Sequence, residues 1–221
     1  MIKQILSIKN KSGTSLRIHA LLSVLSLQFG GYMLINYFSA WRADTFGHYL
    51  EPWTVIDYAI PYVPFSVIPY LFLIPLMASP LFIFIPDEKV IIGVHSYFRI
   101  IISSFIVFLI IPMKMDRSEY LIHIPDHGII GDIVKWVWYI DPPYNTFPSL
   151  HVSLACIATF IICKERKVYR ATMIISASIL ILSIFYCKQH FIIDAIGGIV
   201  LAWIWFKYYY LKKSIVKKIK H

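Results

Sequence analysis

The stretch FIIDAIGGIVLAWIWFKYYYL, residues 191–211, is apolar over almost its whole length. A helix needs about 20 apolar residues to cross a bilayer, so this stretch predicts a transmembrane helix. Asp194 is its one carboxylate, and Gly197 and Gly198 follow within one turn. We expect the two glycines to allow close packing of a neighbouring helix. A carboxylate inside such a helix is costly, by about 2.5–3.5 kcal/mol on insertion scales, so Asp194 requires a partner or a function.

Other apolar segments precede this one, separated by charges or prolines. The six predicted spans are 18–39, 61–86, 90–112, 148–163, 168–187 and 191–211. The basic residues before the first span would suit a signal peptide. Its apolar run is too long, however, and no A-x-A cleavage site follows, so we interpret it as a retained anchor. Residues 129–138 predict a short interfacial helix.

The composition excludes a soluble enzyme. Of 221 residues, 58% are hydrophobic and 15% are charged, and the mean hydropathy is +0.68. Soluble domains carry about 25% charged residues. We therefore predict an all-α fold, a polytopic membrane helix bundle of about six transmembrane helices forming a single domain over residues 1–221. The three cysteines have no metal-binding spacing and predict no disulfide framework.

The net charge of +9 indicates orientation rather than a nucleic-acid partner. Basic residues collect in cytoplasmic loops. With the N-terminus in the cytoplasm, 14 Lys and Arg residues fall on that side and 5 on the other. We therefore predict that both termini, with basic tails over 1–17 and 212–221, are cytoplasmic. The bilayer is the expected partner, and the sequence indicates no oligomeric state.

His190 and Asp194 are the first candidate catalytic pair. Their i, i+4 spacing places imidazole and carboxylate on one face of a helix. The carboxylate can hold one ring nitrogen protonated and direct the lone pair of the other at an electrophile. Taken alone, the pattern is equally typical of a structural pair in which the two side chains satisfy each other.

The second candidate element is NTFPSLH, residues 145–151, at the start of the fourth span. Pro148 suits a first helical turn, and Asn145 or Thr146 could cap it. A helix N-terminus presents unpaired N–H groups that attract phosphate. Ser149 adds a hydroxyl donor, and His151 could deliver a proton. The alternative is an ordinary capped helix with a histidine at the interface.

Three cations could bind phosphate oxygens, although each could also be a solvated loop charge. Lys114 and Arg117 follow the third span, and Lys188 stands beside His190. Under the predicted orientation, all these elements lie on the non-cytoplasmic side. Their convergence indicates phosphoryl transfer through a histidine nucleophile.

The sequence resembles the type-2 phosphatidic acid phosphatase superfamily of membrane lipid phosphatases and phosphotransferases over roughly residues 57–205. FPSLH, residues 147–151, is similar to its P-S-G-H motif, with Leu150 in place of glycine. Ser183 and the His190–Asp194 spacing are similar to its S-R-x5-H-x3-D motif, with Ile184 in place of arginine. The FPSLH variant and the run of residues 188–190 resemble most closely the branch containing inositol phosphorylceramide synthases.

The resemblance implies roles for these residues. His190 would attack phosphorus to form a phosphohistidine, Asp194 would orient it, and His151 would protonate the leaving group. The phosphate-binding residues would be Ser149, Lys114, Arg117 and Lys188, and Lys188 could replace the arginine missing at position 184. The resemblance implies neither metal nor organic cofactor.

The expected function is hydrolysis of a lipid phosphate monoester or diphosphate at the outer membrane face. Transfer of a phospho-headgroup to an acceptor lipid or alcohol is the alternative within the same chemistry. A non-catalytic lipid transporter is an alternative of another class. Transporters bind near the membrane midplane, however, whereas Asp194 and both histidines are predicted near one interface. A haem protein using His151 and His190 is a further alternative, which the absence of a Soret band would exclude.

Overall fold

The chain is an all-helical bundle in a computed structural model that describes residues 12–83, 85–123 and 128–219. Most of the predicted N-terminal basic tail, residues 1–11, and the last two residues, 220–221, lie outside the described residues. The helices follow one another along the chain as α1 (Gly13–Phe46), α2 (Val55–Ala59), α3 (Pro64–Phe82), α4 (Asp87–Ile110), α5 (Ile129–Ile140), α6 (Leu150–Glu165), α7 (Arg170–Tyr186) and α8 (Ile192–Ile219). Short 3₁₀ segments cover Ser118–His123 and Lys167–Tyr169.

The predicted polytopic membrane bundle agrees with the length and composition of these helices. Within the described residues, five stretches are long and apolar enough to cross a membrane, and they belong to α1, α3, α4, α7 with its 3₁₀ turn, and α8. The predicted fourth span is α6, which has 16 residues and is the shortest of the six. The predicted interfacial segment forms α5, so its helical state is confirmed.

The fourth of the predicted spans, α6, lies at the centre of the bundle. It packs against α3, α4, α7 and α8, and Val152, Leu154, Ile157 and Ile161 are fully buried. A helix that is apolar on every side is buried, because no side of it offers polar groups to water. The bundle therefore holds the first turn of α6, and the residues on it, in a fixed position.

Three helices depart from regular α-helical geometry, including α8, in which a π-helical turn covers Phe206–Leu211. In α3 the chain breaks at Phe72, between Val67–Leu71 and Leu73–Phe82. The proline ring at position 75 clashes with the carbonyl four residues earlier, which accounts for the break. In α1 a π-helical turn covers Ser26–Gly31, and π turns inside helices occur often at functional sites.

Ion pairs and loop contacts distinguish the two ends of the bundle. At one end Arg17 pairs with Asp87 at 3.0 Å and Lys89 approaches Glu165 at 3.8 Å. At the other end the long loops meet, because isolated β bridges join Leu50 to Met113 and Lys114 to Tyr144. The start of α6 and the start of α8 both lie at this loop end, which brings the two predicted motifs to the same end.

The two glycines of α8 permit a close approach between helices, as the sequence predicts. A Cβ at Gly198 would lie 2.7 Å from the carbonyl oxygen of Ser149, and one at Gly197 would lie 2.5 Å from the ring of Phe147. Both distances are shorter than a carbon contact allows. The absence of side chains at these positions therefore lets α8 dock against the start of α6.

Candidate active site

His190 and Asp194 are in contact, as their spacing predicts, but α8 begins at Ile192, so His190 precedes the helix instead of sharing a face of it. His190 Nδ1 lies 3.3 Å from Asp194 Oδ2, and the same oxygen accepts a 2.9 Å hydrogen bond from the backbone N–H of Phe191. Asp194 is fully buried in the first turn of α8, where the helix dipole favours a negative charge. Asp194 thus fixes the orientation of the His190 ring.

Ser149 caps α6, which corrects the predicted cap. Its Oγ accepts a hydrogen bond from the backbone N–H of Val152 at 3.3 Å, and α6 begins at Leu150. Pro148 therefore precedes the cap instead of occupying the first turn, and neither Asn145 nor Thr146 is the cap. The hydroxyl of Ser149 can satisfy the first turn directly, so the helix starts one residue after it. The backbone N–H of Ser149 donates to the carbonyl of Asp194 at 2.9 Å, which ties the two motifs together.

The two histidines meet between these helix starts. His151 Nδ1 lies 3.2 Å from His190 Nε2, and their ring centroids are 5.4 Å apart. Both rings are largely buried. The structure thus brings Ser149, His151, His190 and Asp194 together from two segments about forty residues apart.

A tyrosine and a second carboxylate continue this chain of contacts. The hydroxyl of Tyr70 donates to Asp141 Oδ2 at 2.7 Å and lies 2.8 Å from His151 Nε2. Asp141 also accepts from the hydroxyl of Tyr32 at 2.7 Å. Sequence reasoning missed all three residues. Their signals were weak: two tyrosines inside apolar spans whose hydroxyls require partners, and an aspartate in the loop preceding the second motif.

The contacts of this chain allow an arrangement of protons in which His190 is ready to act as a nucleophile. Tyr70 donates to Asp141, so its oxygen is left to accept from His151 Nε2–H. If Asp194 accepts from His190 Nδ1–H, then His190 Nε2 accepts from His151 Nδ1–H. One arrangement that satisfies every contact has both carboxylates ionised and two protons on the His151 ring, which is a charged state that burial of the ring disfavours. In that state His190 presents a lone pair on Nε2, as a nucleophile requires.

Asp141 lies in the loop between α5 and α6, and its surroundings favour the ionised form. Burial alone would raise the pKa of this carboxyl group. The opposing effects of His151, the Tyr70 hydroxyl, Arg117 and the Tyr32 hydroxyl are larger, so the pKa lies below its usual value. Asp141 is therefore a carboxylate at neutral pH.

Arg117 is the predicted cation that lies closest to this network. Its guanidinium donates to Gln189 Oε1 at 2.6 Å and to the carbonyl oxygen of Asp141 at 2.7 Å. Only 5% of Arg117 is exposed. The amide nitrogen of Gln189 is buried and has no hydrogen-bond partner. Gln189, next to the catalytic candidate His190, is thus a second donor that sequence reasoning missed.

The two lysines have other contacts. Lys188, which is 1% exposed, donates from Nζ to the carbonyl oxygens of Asp57 at 3.0 Å and Ile60 at 2.6 Å. Lys114 Nζ lies 4.6 Å from the centre of the Tyr49 ring. These contacts place Lys188 against α2 and the residue that follows it, and Lys114 against the loop after α1.

Among the described residues, no group of three or more His, Cys, Asp and Glu side chains is arranged to hold a metal ion. An apolar cavity adjoins the site, with His151, Tyr70 and Asp141 in its wall. The site can therefore offer a nucleophile, a proton donor and several hydrogen-bond donors next to an apolar surface.

The comparisons with known proteins bear on this site directly. Residues 137–208 match the family model of the PAP2 superfamily. This segment runs from the end of α5 into α8 and includes Asp141, both histidines and Asp194. The match supports the superfamily and a phosphatase or phosphotransferase activity. No curated protein matches the chain, and no solved structure matches it.

Proposed function

We propose that the chain is a membrane lipid phosphatase that hydrolyses a phosphate monoester or diphosphate without a metal ion. The observation that carries the proposal is the direct contact of His151 with His190, flanked by Asp194 on one side and by Tyr70 and Asp141 on the other. The match over residues 137–208 supports the same class of chemistry.

The reaction would proceed in two steps through the same pair of histidines. His190 Nε2 attacks phosphorus as the ester P–O bond breaks, and His151 gives a proton to the departing alcohol oxygen. In the second step His151 takes a proton from water, whose oxygen attacks phosphorus as the P–N bond breaks. Free phosphate leaves, and His190 recovers its lone pair. The substrate phosphate would replace the present contact between the two rings.

The developing charge on the phosphate requires donors at the start of α6 and in the loop before α8. The backbone N–H groups of the first turn of α6 and the Ser149 hydroxyl provide one set. Arg117 and the unpartnered amide of Gln189 provide another. Lys188 uses two of its three ammonium protons on carbonyl oxygens, which leaves one for phosphate. Lys114 completes the predicted set from the neighbouring loop.

The site would face the non-cytoplasmic side of the membrane, with both termini in the cytoplasm. The asymmetry of Lys and Arg between the two ends of the bundle supports this orientation. Headgroup transfer to an acceptor alcohol is the second candidate, as the resemblance to the inositol phosphorylceramide synthase branch implies. The apolar cavity beside His151 favours it, since an alcohol bound there could replace water.

The test is phosphate release by detergent-purified protein in the presence of EDTA. The substrates are phosphatidic acid, phosphatidylglycerophosphate, undecaprenyl diphosphate and a lipid A phosphate. His190→Ala should abolish release. His19→Ala is the matched control, because His19 lies in the half of α1 that is far from the site, and this variant should leave phosphate release unchanged. Release that survives in His190→Ala, or that EDTA removes, would overturn the proposal. Transfer without release, measured with labelled headgroups, would select the second candidate.

A further inference from the structure

The cavity beside His151 has a largely apolar wall and a volume of about 180 Å³. Apolar cavities of about 150 Å³ bind molecules as large as benzene. Its apolar lining comes from Phe29 and Met33 of α1, Ile140 of α5 and Leu150 of α6. Most of one side is thus formed by α1, which lies outside the segment that matches the family model.

The cavity reaches the outer surface of the bundle. Met33 is 62% exposed, Phe29 is 43% exposed and Ile140 is 37% exposed. These apolar side chains would face lipid in a membrane-spanning bundle. A hydrocarbon chain could therefore enter the cavity from the bilayer without crossing a polar surface.

One buried polar atom in the wall, the amide oxygen of Gln28, has no hydrogen-bond partner. Gln28 is 7% exposed, and its Oε1 accepts no hydrogen bond. An unsatisfied buried acceptor costs free energy, so this oxygen is suited to accept a hydrogen bond from a bound donor. The π turn at Ser26–Gly31 contains both Gln28 and Phe29 and places them on the cavity wall.

We propose that this cavity binds a lipid alcohol, with its hydrocarbon chain against Phe29, Met33 and Ile140 and its hydroxyl near Gln28 and His151. Gln28 Oε1 would accept a hydrogen bond from the hydroxyl. The proposal rests on the proposed function for the role of His151. The departing alcohol in hydrolysis and the accepting alcohol in transfer both exchange a proton with His151, so by microscopic reversibility they occupy the same place.

Photolabelling tests the binding site without requiring catalysis. The probe is hexadecanol with a diazirine in its chain, added to purified protein. We expect labelling of α1 around residues 28–33. Met33→Trp should fill the cavity and lower labelling roughly tenfold, as steric changes in apolar pockets do. The control is Leu34→Trp, because Leu34 is 74% exposed and is not part of the cavity wall. This variant should be labelled to the same extent as the unchanged protein.

A second variant tests the role of Gln28. In the unchanged protein, hexadecanol should compete with the probe more strongly than hexadecyl methyl ether, which has no hydroxyl donor. Gln28→Leu should remove this preference and keep the labelling itself. Labelling away from α1, equal labelling in Met33→Trp and Leu34→Trp, or a preference that survives Gln28→Leu would each overturn the proposal.

Kinetics separates this proposal from the proposed function. Met33→Trp should raise KM for hexadecyl phosphate roughly tenfold more than it raises KM for methyl phosphate, whose departing alcohol has no chain. Equal effects on both substrates would contradict the cavity assignment. If the unchanged protein hydrolyses neither substrate, the proposed function is contradicted, whereas the labelling result still stands. Added hexadecanol should inhibit phosphate release if it occupies the place of the departing alcohol, or become phosphorylated if it is an acceptor.

Discussion

Tyr70 joins the two halves of the proton chain, because its single hydroxyl contacts both Asp141 and His151. The hydroxyl can transmit the influence of the carboxylate to the imidazole without itself carrying a charge. Asp141 and His151 are 3.7 Å apart at their closest atoms, which is longer than a direct hydrogen bond. Tyr70 therefore acts as a positioning residue for His151.

Tyr70→Phe should lower kcat roughly ten- to a hundredfold and change KM little. The expected loss is only a part of what general acid–base catalysis contributes, because His151 itself remains. Without the Tyr70 hydroxyl, the protonated form of His151 loses a partner, so the alkaline limb of the kcat profile should move to lower pH. Tyr139→Phe, at a position that is 83% exposed, is the matched control. An unchanged pH profile in Tyr70→Phe would contradict the positioning role.

The lowered pKa of Asp141 predicts that the stability of the fold depends on pH. Its pKa is lower in the folded chain than in the unfolded one, so folding favours the ionised form. The stabilisation is fully present above the unfolded pKa of about 4 and is lost as pH falls through the lower folded value. Asp141→Asn should therefore be less stable than the unchanged protein at neutral pH, and the difference should shrink below about pH 4.

Thermal unfolding in detergent measures this difference across the pH range. Asp132→Asn, on the first turn of α5 in the same part of the chain, provides a control carboxylate whose replacement leaves the site intact. A difference between Asp141→Asn and the unchanged protein that grows as the pH falls would contradict the account.

At the scale of the elements, the contact between α6 and α8 positions the site. Ser149 and His151 belong to the start of one helix, and His190 and Asp194 precede or begin the other. Gly198 lets the backbones approach closely enough for the Ser149 N–H to donate to the carbonyl of Asp194. The geometry of the catalytic pair thus depends on a residue that has no side chain.

Gly198→Ala should lower stability by about 1–3 kcal/mol, because the new methyl group would overlap the carbonyl of Ser149. Activity should fall as well, since the shift displaces Ser149 and His151. Gly30→Ala is the matched control, because a Cβ at Gly30 meets no atom within 4 Å. The checks are the unfolding temperature and phosphate release, and equal stability of the two variants would contradict the role assigned to Gly198.

The sequence allowed prediction of the parts of the site that depend on local spacing. The i, i+4 relation of His190 and Asp194 is a property of a single segment, whereas the cap at Ser149 was not predicted, because the sequence pattern favoured Asn145 or Thr146. Tyr70 and Asp141 are 71 residues apart in the chain, and no local pattern reveals such a contact. The contacts of Lys188 were not predictable for another reason. Its position next to His190 suggested that it binds phosphate, whereas the folded chain gives it two backbone carbonyl oxygens as partners.

At the scale of the whole molecule, the distribution of charge separates the two ends of the bundle. Arg17, Asp87 and Glu165 lie at the end opposite the site, and the helix–helix turn at Lys167–Tyr169 lies there as well. The long loops that carry Arg117 and Asp141 lie at the site end. From the positive-inside tendency we propose that the first end faces the cytoplasm.

Cysteine labelling in intact cells tests this orientation. In a Cys163→Ser background, a membrane-impermeant maleimide should label Ser118→Cys and leave Val168→Cys unlabelled until the cells are opened. Both positions are exposed, and Val168 is 81% exposed, so accessibility within the bundle does not limit the reaction. Labelling of Val168→Cys in intact cells would contradict the proposed orientation.

The measurement that tests the central claim most directly is the trapping of a phosphohistidine on His190. His151→Ala retains the nucleophile and lacks the group that activates water, so radioactive phosphate from p-nitrophenyl phosphate should accumulate on the protein. The label should be stable to base, labile to acid and absent from the double variant His151→Ala/His190→Ala. Label that persists in the double variant, or that maps to a residue other than His190, would contradict the account.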